Sequence, residues 1–202
     1  PAFPQEQAPI ALSPEGAAGF EGSPGIQVHR DGYQWGIFSQ IESVSVESNR
    51  ITFASSCSGS EIQITHCLKL DSDNDVLSAT TRITNTGTSR LWLERCDAPC
   101  IPIPMHYTKI LGFNGRWGNE FQLQSLNRFK GAYLRENRSG RTSHSSFPGV
   151  VVHTEHANES LGDAYGLHLG WSGNHHVRVE ELSSGRSYAQ LGELFLPGEM
   201  QL

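Results

Sequence analysis

Ile62, Ile64, His66, Leu68 and Leu70 alternate with Gln63, Thr65, Cys67 and Lys69. A period of two places the first set on one face of an extended strand and the second on the other. A helix would scatter both sets around its axis. The run stops at Asp71-Ser-Asp-Asn-Asp75, a turn composition, and a second run over 77–84 closes at Asn85-Thr-Gly87. Further short runs occupy 41–46, 51–53, 91–95, 107–111, 121–126, 150–156, 165–171, 177–182 and 188–191. Turn residues separate nearly all of them, and no amphipathic stretch of three helical turns is visible. The pattern predicts an all-β chain, an antiparallel sandwich. The 21 Gly and 10 Pro among 202 residues fit such frequent reversals. Residues 1–25, rich in Pro, Gly, Ala and Glu, show no period and read as an irregular lead-in.

Charge and length exclude several classes. Lys plus Arg is 15 and Asp plus Glu is 21, a net of −6. Nucleic acid and anionic membrane both call for a basic surface, so neither is an expected partner. No run approaches the ~18 apolar residues of a membrane span, and no signal peptide is visible. A soluble protein is expected, cytoplasmic rather than periplasmic or secreted. Pro1 in the place of an initiator Met reads as a processed or trimmed start. At 202 residues the chain is short for a (β/α)8 barrel, which needs about 250.

Several chemical motifs fail on their own terms. Asp71, Asp73 and Asp75 offer oxygens like a calcium loop, but Val76 stands where the loop needs Gly and Arg82 where it needs Glu. A solvated turn is the better reading. His153 and His156 fall on opposite faces of a strand, as do His175 and His176, so no shared metal is expected. No Gly-x-Ser-x-Gly elbow occurs, and Ser143 beside His144 in sequence makes no nucleophile–base pair. Glu120, Glu136, Glu155 and Glu180 read as exposed charges on β-faces, not as a glycosidase pair. Cys57, Cys67, Cys96 and Cys100 lack a second close pair and read as reduced, structural thiols. The sequons at Asn137 and Asn158 carry little weight without a secretory context.

One region stands apart by composition. Arg116, Trp117, Glu120, Arg135, Arg138 and His144 lie among Gly turns, followed by Trp171-Ser-Gly-Asn-His175. Aromatic rings stack on sugar faces, and Arg or Asn fork hydrogen bonds to hydroxyls. The same residue types anchor interfaces between chains or domains. Composition leaves both readings open.

The ordered set Phe113-Asn-Gly-Arg-Trp-Gly-Asn-Glu-Phe121, Gly140-Arg-Thr-Ser-His144, Phe147-Pro-Gly149, 159–162, Tyr165-Gly166, Gly170-Trp-Ser-Gly-Asn-His175 and Leu196-Pro-Gly-Glu-Met200 is similar to the N-terminal domain of family 36 retaining α-galactosidases. Thr84-Asn85 with Leu91-Trp-Leu-Glu-Arg95 fits that domain too. The resemblance covers most of the chain and is strongest over 81–202. It implies an antiparallel β-supersandwich of two large packed sheets over 26–202, leading in a parent chain to a (β/α)8 barrel. The family's nucleophile and acid/base are barrel aspartates, and the motif around the nucleophile is absent here: no Trp precedes an Asp. The resemblance therefore implies a fragment, silent by itself and needing no metal or organic cofactor. It would support the barrel and a homo-oligomer, with an α-galactoside at most at its edge. The runner-up is a stand-alone carbohydrate-binding β-sandwich module. The third reading is a purely structural assembly domain. The family loop that crosses to a neighbouring subunit reads Gly-Asp-Phe-Arg; the nearest match is Ala18-Gly-Phe-Glu21, with Gly19 for Asp and Glu21 for Arg. Arg116, Trp117, His144, Trp171, Asn174 and His175 become the candidates for a barrel-facing or substrate-binding surface.

Overall fold

The computed structural model describes residues 9–202. The first eight residues of the lead-in lie outside the described residues. A single 3-10 turn, Gly16–Ala18, precedes fourteen described strands. They are β1 (Ile26–His29), β2 (Gln40–Glu47), β3 (Arg50–Cys57), β4 (Ile62–Asp71), β5 (Val76–Asn85), β6 (Trp92–Cys96), β7 (Ile101–Ile103), β8 (Lys109–Arg116), β9 (Asn119–Asn127), β10 (Gly131–Asn137), β11 (Gly149–His153), β12 (Ala164–His168), β13 (His175–Glu181) and β14 (Ser187–Glu193). No described helix is long and apolar enough to cross a membrane.

Hydrogen bonding divides the strands into a β1–β6 pair and three four-stranded sheets, ordered β2-β3-β4-β5, β12-β11-β8-β9 and β10-β13-β14-β7. Every strand pair is antiparallel. The expected all-β sandwich is what the chain forms, as two packed units. In one, Ile103, Ile110, Val150, Val152, Val177 and Val179 interdigitate between the β8 and β13 sheets. In the other, Ile26, Val28, Leu91 and Leu93 of the β1–β6 region close over Ile62 and Ile64 of β4. Each such fully buried aliphatic chain contributes about 1.5–3 kcal/mol.

Alternation decides which side of a strand is buried. Val150 and Val152 are buried and Val151 between them is not, while β4 buries Ile62, Ile64 and His66. Toward the tip of β4 the same face emerges into solvent at Leu70. The lead-in residues Ile10 and Phe20 pack on a third small cluster of Cys100, Leu182 and Tyr188.

Candidate functional site

The Arg, Trp and His residues singled out in the sequence gather at one end of the β8–β13 sandwich. Three segments meet there: the β8–β9 hairpin, the loop after β10, and the loop before β13. The hairpin turns at Trp117-Gly118, where Gly118 adopts φ +77°, the left-handed backbone that glycine takes without steric cost. Asn114 pairs with Gln122 and Arg116 with Asn119, so Glu120 and Phe121 together oppose Gly115. This is a β-bulge, which re-aims side chains by adding one residue to one strand. A Cβ on residue 115 would lie 2.7 Å from the Asn119 carbonyl oxygen, so only glycine fits. Phe121 pays for the bulge with φ +53°, an outlier for a bulky side chain that costs about 1–2 kcal/mol.

The loop after β10 is tied to its neighbours on both sides. The buried Asn137 side chain donates to the Arg141 carbonyl at 2.7 Å and accepts from the Ser139 amide at 2.9 Å. The Thr142 amide and hydroxyl both donate to the Ser172 carbonyl. The Gly140 amide donates to Asn174 Oδ1 at 2.8 Å. On the other side Nδ1 of His144 lies 3.4 Å from Oε1 of Glu120. Glu120 also accepts from the Gly118 amide at 2.9 Å, and that bond first, with its own backbone amide and then the nearby His144, holds its carboxyl below the usual carboxylate range.

The six candidates separate by exposure. Trp117 is 84% exposed at the hairpin tip, beside the exposed Arg116, and His144 is also open to solvent. His175 is 1% exposed, with Nδ1 at 3.0 Å from the Gly173 carbonyl and Nε2 at 3.4 Å from Ser146 Oγ. It therefore belongs to the packing of the loops and presents no surface to a partner. Asn174 binds the Gly140 amide. The Trp171 indole donates to the Asn174 carbonyl and its ring closes over Gly173, where a Cβ would meet it at 2.7 Å. So Asn174 and His175 shape the end of the sandwich from within, and Arg116, Trp117, His144 and the 45% exposed Trp171 form its surface.

Beside that surface lies a cleft of about 280 Å3 that sequence reasoning missed. Phe113, Phe121 and Phe147 form its apolar wall, with ring centroids 5.2–5.8 Å apart. Asn114, Glu120, Thr142, Ser143 and His144 line the rest. Only the bulge brings Phe121 onto Phe113 and Phe147, and nothing in a period-two reading of the sequence announces it. The strained hairpin Gly115-Arg-Trp-Gly118 was the available signal.

Elsewhere the chemistry-bearing groups serve structure. Among the described residues no group of three His, Cys, Asp or Glu side chains takes up a metal-holding arrangement. The Asp71–Asp75 segment is a hairpin turn in which Asp71 accepts from the Asp73 amide and the Asn74 side chain. All four cysteines are unpaired. Burial pushes the Cys96 thiol up to about 11 and raises Cys100 further. Near Gly19, Phe20 packs 5.5 Å from Tyr188 and Glu21 accepts from Ser183 and Ser184 hydroxyls, so both are engaged within this chain.

An antiparallel double sandwich whose polar and aromatic residues collect at one loop end defines an all-β sandwich domain. The sequence matches the glycosyl hydrolase family 36 N-terminal domain over residues 3–202, and the chain belongs to that family. It is 34% identical over 200 residues to an α-galactosidase of Escherichia coli, covering 96% of this chain and 27% of that protein. It is 29% identical over 126 residues to the bifunctional α-galactosidase/sucrose kinase AgaSK of Mediterraneibacter gnavus, covering 61% of this chain and 14% of that one. The crystal structure of the family 36 α-galactosidase AgaA from Geobacillus stearothermophilus superposes with TM-score 0.82 at 18% identity, over 90% of this chain and 28% of that one. This chain thus spans little more than a quarter of the length of the Escherichia coli and AgaA proteins.

Proposed function

We propose that this chain is the non-catalytic N-terminal domain of a longer α-galactosidase, in which residues 26–202 brace a (β/α)8 barrel and help to build an oligomer. The barrel would hydrolyse terminal α-galactosides with retention. The names and greater lengths of the relatives support this reading.

The observation that carries it is an uncovered apolar face. Strand register places Val46, Ile51, Leu68 and Ala79 in one row across β2–β5, and Val44, Phe53, His66 and Thr81 in the next. Leu70 pairs with Leu77 beyond them. These rows continue the face that Ile62 and Ile64 bury, but the cover stops, leaving Val46 72% and Leu77 54% exposed. A contiguous apolar patch on a folded surface marks a contact site. β2 is also an edge strand with open backbone groups, which a neighbouring body would shield. A free-standing sugar binder lacks a reason for this face, and one built on a tryptophan platform would need its two indoles side by side. Trp117 and Trp171 make no ring contact with each other among the described residues.

The test pairs two proteins. The 202-residue chain alone is expected to give no turnover of an aryl α-galactoside. In the longer protein, Leu70→Glu with Leu77→Glu is expected to lower specific activity and shift the sedimenting species. Turnover that copurifies with the short chain, or a double variant indistinguishable from wild type, would overturn the reading.

A further inference from the structure

The cleft between the β8–β9 hairpin and the 142–147 loop has the anatomy of a small-ligand site. Such sites join an apolar wall to a few placed polar groups. At about 280 Å3 it has room for one six-membered ring and its substituents, and no room for two. The wall is aromatic, and Phe121 is 59% exposed, so its ring is open to a ligand. The chain holds that ring in place with left-handed backbone at φ +53°, where a glycine would sit without strain. Strained backbone of this kind concentrates at sites that use it.

The polar rim decides the ligand's chemistry. Asn114 Oδ1 is occupied, by the Gly115 amide at 2.9 Å and Arg135 at 3.4 Å, which assigns the amide orientation. Its Nδ2 protons make no hydrogen bond among the described residues and are free to donate. Glu120 is an ionised acceptor. A carboxylate offers about four lone-pair sites, and the Gly118 amide and His144 face only Oε1. The second oxygen, Oε2, is left to accept from a ligand. The cleft thus joins an acceptor, a donor and an apolar wall. Vicinal hydroxyls on an otherwise C–H-faced ring match all three, donating to Glu120, accepting from Asn114 and laying C–H groups on Phe121.

We propose that this cleft binds a single uncharged sugar ring, using residues of this chain alone. The proposal does not depend on the role of the domain in a longer enzyme: it is read by binding to the short chain, whereas that role is read by turnover and assembly. Galactose and glucose would be titrated separately into the 15N-labelled 202-residue chain, with arginine methyl ester as a cationic probe of similar size. The expected result is saturable amide shifts confined to residues 113–121 and 142–147, half-complete at a millimolar sugar concentration. Phe121→Gly, which suits the left-handed backbone, should abolish them while the melting temperature holds. Glu120→Gln should weaken binding at least about fivefold, as loss of a charged acceptor does. Absence of saturable shifts with either sugar up to about 100 mM would overturn the proposal. So would shifts that persist in Phe121→Gly, or tighter binding of the cationic probe at the same amides.

Discussion

Asp97 shows how a residue can matter more than the motif that contains it. The sequence draws attention to Cys96 and Cys100, yet their thiols are buried and unpaired. Asp97 between them is fully buried, with Oδ2 at 2.5 Å from Nε2 of His176 on β13 and 3.5 Å from Nε of Arg95. It stitches β6 to the neighbouring sandwich across 79 residues of sequence. Gly192 leaves room for it: a Cβ there would lie 1.9 Å from Asp97 Oδ1 and 2.8 Å from the Cys96 carbonyl oxygen. Removing the carboxylate takes away the partner of the buried His176 ring and of the partly exposed Arg95 guanidinium, so Asp97→Ala should cost about 1–3 kcal/mol in denaturant unfolding. Gly192→Ala should cost about 1–3 kcal/mol by overpacking. Neither partner could be chosen from the sequence, because an Asp between two cysteines and a His in a His-His pair carry no sign of their separation in space.

His66 is a second residue whose alternation predicted its place but not its chemistry. It sits on the buried face of β4, and its Nδ1 lies 2.9 Å from Thr81 Oγ1. The Thr81 hydroxyl spends its one proton on the Ala98 carbonyl at 2.7 Å, so His66 Nδ1 must carry the hydrogen in that pair. Burial holds the folded ring's pKa below the ordinary histidine value of 6.5. As pH falls through that value the unfolded chain takes up the proton first, so stability drops with acidification below about 6.5 and is fully present above it. The urea midpoint should fall between pH 7 and 5, and His66→Asn, which keeps a donor near Nδ1, should flatten that part of the profile. An unchanged slope in the variant would show that His66 does not carry it.

Strands themselves were legible where burial on one face forces alternation. β4 and β5 match their predicted runs within one residue at each end, and β2, β6, β9, β13 and β14 within a few. Three strands were missed for three different reasons. β1, Ile-Gln-Val-His, alternates cleanly but is only four residues long. β7 contains Pro102, which a strand tolerates at a sheet edge, and β7 is the edge partner of β14. β10 ends in Arg-Glu-Asn, and its buried Asn137 is a polar side chain satisfied by the loop that follows. The hairpin bulge was illegible for a deeper reason: an extra residue breaks the very period on which the reading depends. Its requirement for glycine is testable. Gly115→Ala forces a Cβ into the opposite strand and should destabilise the chain by about 1–3 kcal/mol, with shifts in β8–β9 amides larger than elsewhere. A variant as stable as wild type would remove the steric account of the bulge.

At the scale of the whole molecule, alternation proved to say less than it promised. Ile62 and Leu70 belong to one apolar face in the sequence, but the first is 1% exposed and the second 47%. A period-two pattern reports that a face is covered by something; it does not report by what. In this chain half of that face is covered by β1 and β6 and the other half by nothing among the described residues. The family likeness, legible in the ordered motifs from Phe113 to Met200, names the kind of protein whose remaining mass could cover it. The loop-end cleft escaped the sequence because three phenylalanines and a Glu–His pair from distant segments converge only after folding.

The central proposal is that the β2–β5 face is what this domain contributes to a larger enzyme. Hydroxyl-radical footprinting of Val46, Leu70 and Leu77 in the short chain and in the longer protein tests it most directly. The account predicts strong labelling of all three in the short chain and several-fold protection in the longer protein, with Trp117 as an independently read position. Equal labelling of the three aliphatic side chains in both proteins would contradict it.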